Sequence, residues 1–152
     1  MFDNRIKIGI TQGDTNGIGW EVILGALADP MMLEICTPVV YGSRKAAEYY
    51  STKMGEEFVM PHFHFCSSAA DARYGAVNFV EVGDKQLAVE PGKSTEASAK
   101  AAIAALEASV ADLQSEELNA VVTAPICKEG MSAAGFGYTG HTEYFADKAE
   151  GS

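Results

Sequence analysis

The stretch that decides the fold runs from Ile6 to Leu27, IKIGITQGDTNGIGWEVILGAL. Residues 6–11 are apolar and β-branched, which predicts a strand buried on both faces, as in a parallel sheet. Residues 12–19 carry three glycines and form a turn-rich loop. From Trp20 to Leu27 the apolar residues Val22, Ile23, Ala26 and Leu27 share one face of a helix, which Asp29-Pro30 ends. A loop leaving a strand for a helix is where α/β proteins place ligands. The spacing here, G-x3-G-x-G, is neither the dinucleotide fingerprint nor a phosphate-binding P-loop. Two readings stand level: a ligand loop, or a tight turn that packs helix on strand. Asp14 accordingly either lines a cleft or caps the turn.

The same alternation continues outward. Pro38–Gly42 reads as a strand, and Ser43 as the cap of a helix to about Met54, stopped by Gly55. His62–Cys66 and Val77–Val82 read as two more strands, followed by a loop over 83–92. Ser94 is a fitting cap for the longest helix, with Glu96 in its first turn and Ile103, Leu106, Val110 and Leu113 in one stripe. Its many alanines suit close packing on a sheet. Asn119–Thr123 reads as a strand, and 126–134 and 142–148 as short helices. Strand and helix therefore alternate with short connections, the pattern of a helix-covered parallel or mixed sheet. The last strand leads into elements with no partner strand, so a fragment of a longer protein is expected.

The 152 residues are 47% hydrophobic and carry a net charge of −10, with 21 acidic against 11 basic side chains. This composition suits one globular domain or slightly more. The acidic balance disfavours phosphate backbones and anionic membrane surfaces, so neither nucleic acid nor membrane is expected as a partner. No apolar run approaches the roughly 20 residues of a membrane span. Three scattered cysteines, Cys36, Cys66 and Cys127, fit a reducing, cytoplasmic setting. His62 and His64 alternate on one strand face. They read as a polar pair on a half-exposed strand in preference to two metal ligands.

Two later segments also carry chemistry. In Thr123-Ala124-Pro125-Ile126-Cys127-Lys128-Glu129-Gly130, Lys128 either reaches an anionic group or is a solvated helix residue. Cys127 has no sequence-near base and reads as a structural thiol. In Gly137-Tyr138-Thr139-Gly140-His141-Thr142-Glu143, His141 offers a group that titrates near neutrality and Thr142 a hydroxyl, at a helix start that suits an anion. A helix cap explains the same residues equally well.

Taken together, Ile8-Gly9-Ile10-Thr11-x-Gly13-Asp14-x-x-Gly17-Ile18-Gly19, Val121-Val122-Thr123-Ala124-Pro125-x-x-Lys128-x-Gly130 and Gly140-His141-Thr142-Glu143 resemble the 4-hydroxythreonine-4-phosphate dehydrogenase family of pyridoxal 5′-phosphate (vitamin B6) biosynthesis. Order and spacing agree as well as the letters, over the N-terminal portion of the family.

The resemblance implies a three-layer α/β/α fold like that of isocitrate and isopropylmalate dehydrogenases. Residues 1–123 would form most of a first domain and 124–152 the start of a second. It implies NAD- or NADP-dependent oxidation of 4-phosphohydroxy-L-threonine to 2-amino-3-oxo-4-phosphobutanoate, which decarboxylates to 3-amino-2-oxopropyl phosphate. A divalent metal (Zn, Mg or Co), a homodimer and a small phosphorylated amino-acid substrate are implied with it. His141 and Thr142 match the family's substrate-binding pair, while the metal histidines and catalytic groups lie beyond Ser152. These 152 residues alone are therefore expected to be inactive. A related dehydrogenase for another phosphorylated hydroxy acid and a fold-related phosphate acyltransferase are the alternatives. The chain departs from the common pattern at Thr15-Asn16, where many members have Pro-Ala, and at Trp20, where they have Pro. A loop without that proline is freer in the unfolded state.

Overall fold

A computed structural model describes residues 6–127, 130–131, 135, 137 and 141–150, without the side chains of 141, 142, 149 and 150. Five parallel strands form one sheet: β1 (Lys7–Thr11), β2 (Thr37–Gly42), β3 (Phe63–Phe65), β4 (Val77–Glu81) and β5 (Ala120–Thr123), in the order β3-β4-β2-β1-β5. The register sets Ile10 against Val40 on one side and Val122 on the other. The helices are α1 (Gly19–Leu27), α2 (Met32–Ile35), α3 (Arg44–Lys53), α4 (Glu96–Gln114) and α5 (His141–Glu150).

Helices cover both faces. On one, Trp20, Ile23, Leu24 and Leu27 of α1 and Ala46, Ala47 and Tyr50 of α3 pack against Val40, Val77 and Phe79. Trp20 stacks on Phe79 with ring centroids 5.9 Å apart. On the other, Ala105 of α4 meets Val39, Tyr41 and Val80. The alternation of Val39 and Tyr41 with Val40 is the period-two pattern of a strand covered twice, and every residue of β2 is buried. Most of the buried face of α4 is alanine and serine, so the helix lies close to the sheet. Tyr144 of α5 packs with Leu106, Val110 and Met131 outside α4, and Gln114 Nε2 donates to the Lys148 carbonyl at 3.2 Å. The three-layer α/β/α arrangement is as expected.

Three local features differ from the sequence reading. The cap of α4 is Thr95. Its hydroxyl accepts from Ser98 N at 3.0 Å, and Ser98 Oγ accepts from Thr95 N at 3.3 Å, a reciprocal box that Ser94 cannot form from one residue earlier. α2 is a single turn after Pro30, too short to leave a periodic signature. β1 is buried on one face only. Ile8 and Ile10 line an open apolar groove of about 350 Å³ with Val22, Met32, Ile35 and Val122. β5 is the sheet edge, and no described helix covers its α1-side face, so Val122 is 56% exposed.

Candidate functional site at the carboxyl edge of the sheet

The chain runs from β1 to β2, passes to the edge at β3, inserts β4 between β3 and β2, then returns across the sheet to place β5 on the other side of β1. Between β1 and β5 the winding direction reverses, and ligands of open α/β sheets bind at the carboxyl ends beside such a reversal. Two of the three sequence-predicted segments meet there. The loop after β1 and the segment after β5 touch directly, through Asp14 N donating to the Pro125 carbonyl at 2.9 Å.

The glycines of the first loop serve this contact. Gly13 has φ +70°, and a Cβ there would collide with the Pro125 carbonyl oxygen and lie 2.8 Å from that of Ala124. At Gly19 a Cβ would lie 2.7 Å from the Gln12 carbonyl oxygen. The space a side chain would take is filled by the chain itself, so the tight-turn reading of these glycines holds and they form no nucleotide cradle. Among the described residues no group of three or more His, Cys, Asp or Glu side chains is placed to hold a metal ion.

Asp14 takes the turn-capping reading. Its Oδ1 accepts from Asn16 N at 2.9 Å and its carbonyl from Gly17 N at 3.0 Å, so it caps the turn. It also borders a narrow crevice with Ser98, Ala102, Cys127, Gly130 and Met131. The crevice admits no water-sized sphere. Lys128 and the side chains of His141 and Thr142 lie outside the described residues; the backbone from His141 opens α5. Cys127 Sγ lies 3.6 Å from Ser94 Oγ, and no described pairing makes it more than a structural thiol. His62 is exposed just before β3, while His64 Nε2 lies 3.2 Å from the Asp71 carbonyl oxygen. They form no metal site with other described residues.

Sequence reasoning missed the residues that hold the loop in place. Gln12 is fully buried. Its Oε1 accepts from Trp20 Nε1 at 3.0 Å and Ser43 N at 2.8 Å, and its Nε2 donates to the Ala101 carbonyl at 3.1 Å. Tyr50 donates its hydroxyl to the Thr15 carbonyl at 2.6 Å. Asn16, 4% exposed, donates from Nδ2 to the Lys93 carbonyl at 2.9 Å and Thr95 Oγ1 at 3.3 Å. Its Oδ1 accepts from Glu90 N, and its carbonyl from Gly92 N, each at 2.8 Å. The resemblance marks Thr15, Asn16 and Trp20 as departures, but nothing local in the sequence names the partners of Gln12, Tyr50 or Asn16.

A parallel α/β/α unit whose β1 and β5 loops meet at a strand-order reversal is thus defined. The model for "Pyridoxal phosphate biosynthetic protein PdxA" matches residues 34–152, and the chain belongs to that family. It is 40% identical over 148 residues to a 4-hydroxythreonine-4-phosphate dehydrogenase of Bacteroides thetaiotaomicron, covering 97% of this chain and 40% of that protein. A D-threonate 4-phosphate dehydrogenase of Cupriavidus necator is 32% identical, with 96% and 44% covered. The crystal structure of a 4-hydroxythreonine-4-phosphate dehydrogenase from Burkholderia phymatum superposes with a TM-score of 0.83 at 30% identity, over 97% of this chain and 44% of that one. The chain thus spans less than half the length of these relatives.

Proposed function

We propose that this chain is the N-terminal portion of a dehydrogenase that oxidises 4-phosphohydroxy-L-threonine in pyridoxal 5′-phosphate biosynthesis. The observation that carries the reading is the meeting of the Asp14 loop and the Pro125 segment beside the strand-order reversal, in a chain of this family. Residues 1–123 make most of the first domain, and 124–152 begin the second and supply one wall of the cleft. Asp14 and Lys128 line that cleft. His141 and Thr142 bind the substrate by hydrogen bonds. The enzyme takes NAD or NADP as hydride acceptor, held mostly by residues outside this chain, and a divalent metal (Zn, Mg or Co) held wholly by such residues. It works in the cytoplasm as a homodimer.

The test is NAD(P)H formation from 4-phosphohydroxy-L-threonine by the protein expressed over the full length of its gene, with and without divalent metal. Metal-dependent turnover, with kcat/KM lowered at least about 10-fold by His141→Ala, supports the reading. Unchanged kinetics in that variant remove the role of His141. The Cupriavidus relative motivates one rival substrate, D-threonate 4-phosphate. Preference for that compound would keep the dehydrogenase and replace the substrate.

A further inference from the structure

We propose that Asn16 is a positioning residue for Asp14, acting as a latch that fastens the 90–95 segment to the first loop. The inference rests on the functional reading above, in which Asp14 faces the cleft. The side-chain amide of Asn16 engages three partners 74 to 79 residues away along the chain: Glu90 N, the Lys93 carbonyl and Thr95 Oγ1. The backbone carbonyl of the same residue takes Gly92 N. Both ends of the amide and its own carbonyl therefore hold one short segment, and that segment leads into the cap of α4.

The remaining backbone group of Asn16 points the other way in the network. Its N–H donates to Asp14 Oδ1 at 2.9 Å. One residue thus couples the carboxylate of Asp14 to the strap that precedes α4. α4 itself contributes Ser98 and Ala102 to the crevice that Asp14 borders. At 4% exposure, Asn16 reaches these groups as a buried, polar side chain whose partners lose their bonds if it is truncated. An alanine at this position would offer no such side-chain tie. A carboxylate held through one backbone N–H shifts when that N–H shifts, and displacements of about 1 Å in a site cost on the order of 100-fold in rate.

The test is a double-mutant cycle in the protein expressed over the full length of its gene, with Asn16→Ala, Asp14→Asn and the pair. kcat and KM for 4-phosphohydroxy-L-threonine are measured where all variants keep a native circular dichroism spectrum. Asn16→Ala is expected to lower kcat/KM by about 10- to 100-fold, mainly in kcat, and the pair to be no worse than Asp14→Asn alone. Multiplicative losses, or a wild-type rate in Asn16→Ala, overturn the proposal. Amide hydrogen exchange at residues 16, 90 and 92 provides a readout that needs no turnover. Faster exchange at all three in Asn16→Ala upholds the latch, and unchanged exchange refutes it. If the wild-type protein leaves the substrate untouched, the functional reading fails, and exchange alone decides the latch.

Discussion

Replacing Gln12 by leucine tests whether the carboxyl edge is held by hydrogen bonds or by packing. The two side chains have similar size, so the fully buried pocket stays filled. Three partners nevertheless lose their bond to Gln12: Trp20 Nε1–H, Ser43 N–H and the Ala101 carbonyl. A buried polar group left without its partner costs about 1–3 kcal/mol. The Ala101 carbonyl belongs to α4, whose backbone ladder can still use it, so the loss comes chiefly from the two donors. Their sum, about 2–6 kcal/mol, is a large share of the roughly 5–15 kcal/mol of a whole domain. Urea unfolding reads it directly, because Trp20 is the single tryptophan and lies inside the perturbed site. With a slope near 2 kcal/mol/M, the midpoint should fall by about 1–3 M. A fall of less than about 0.5 M at unchanged slope would refute the reasoning and leave packing of Trp20 on Phe79 as the principal tie. If the leucine variant is unfolded in buffer, Trp20→Phe removes only one of the three bonds. Followed by circular dichroism, it should lose about 1–2 kcal/mol, including the smaller ring.

Three further outcomes are expected. Gly13→Ala combines a left-handed backbone with overlap onto the Pro125 and Ala124 carbonyls, so it should lose about 3 kcal/mol or more in urea unfolding, where Gly55→Ala, with open space around it, should lose only the cost of its own positive φ. The 152-residue chain should self-associate through the apolar groove and the outer edge of β5. Val122→Lys should shift it toward monomer in light scattering, and a monodisperse monomer of the unaltered chain would contradict this. Stability should decline on the alkaline side. Burial raises the Cys36, Cys66, Tyr41 and Tyr50 ionisations above their ordinary values, and at Tyr41 the bonded Asp112 carboxylate adds to the effect. The folded chain then holds protons that the unfolded chain releases, so this stabilisation is full below about pH 8.5 and lost as pH rises through the thiol and phenol range. A melting temperature level from pH 7 to about 10.5 would refute it.

The legible parts were those governed by short-range rules. The run Ile6–Thr11 marks its strand by β-branching, and Ser43 caps α3 as expected, its Oγ accepting from Ala46 N at 3.1 Å. The long alanine-rich helix declares itself by length, but its first residue does not. Ser94 and Thr95 are both capping types, and only the position of Ser98 three residues after Thr95 selects the second. At the site, Asp14 was legible as a charged residue in a glycine loop. Gln12 and Asn16 were not, because an amide in a loop has no sequence signature until its partners are known.

The sequence by itself determined the alternation of strand and helix, the parallel α/β class and the family, since each depends on local spacing or on motif order. Only the tertiary structure decided that β5 lies beside β1, and that β1 faces an open groove instead of a second covering layer. It also decided that Gly13 yields its space to Pro125, and that Asn16 spends its amide on residues 90–95. These contacts join segments dozens of residues apart. Their partners are chosen by chain crossing and close packing, which leave no periodic mark on either segment.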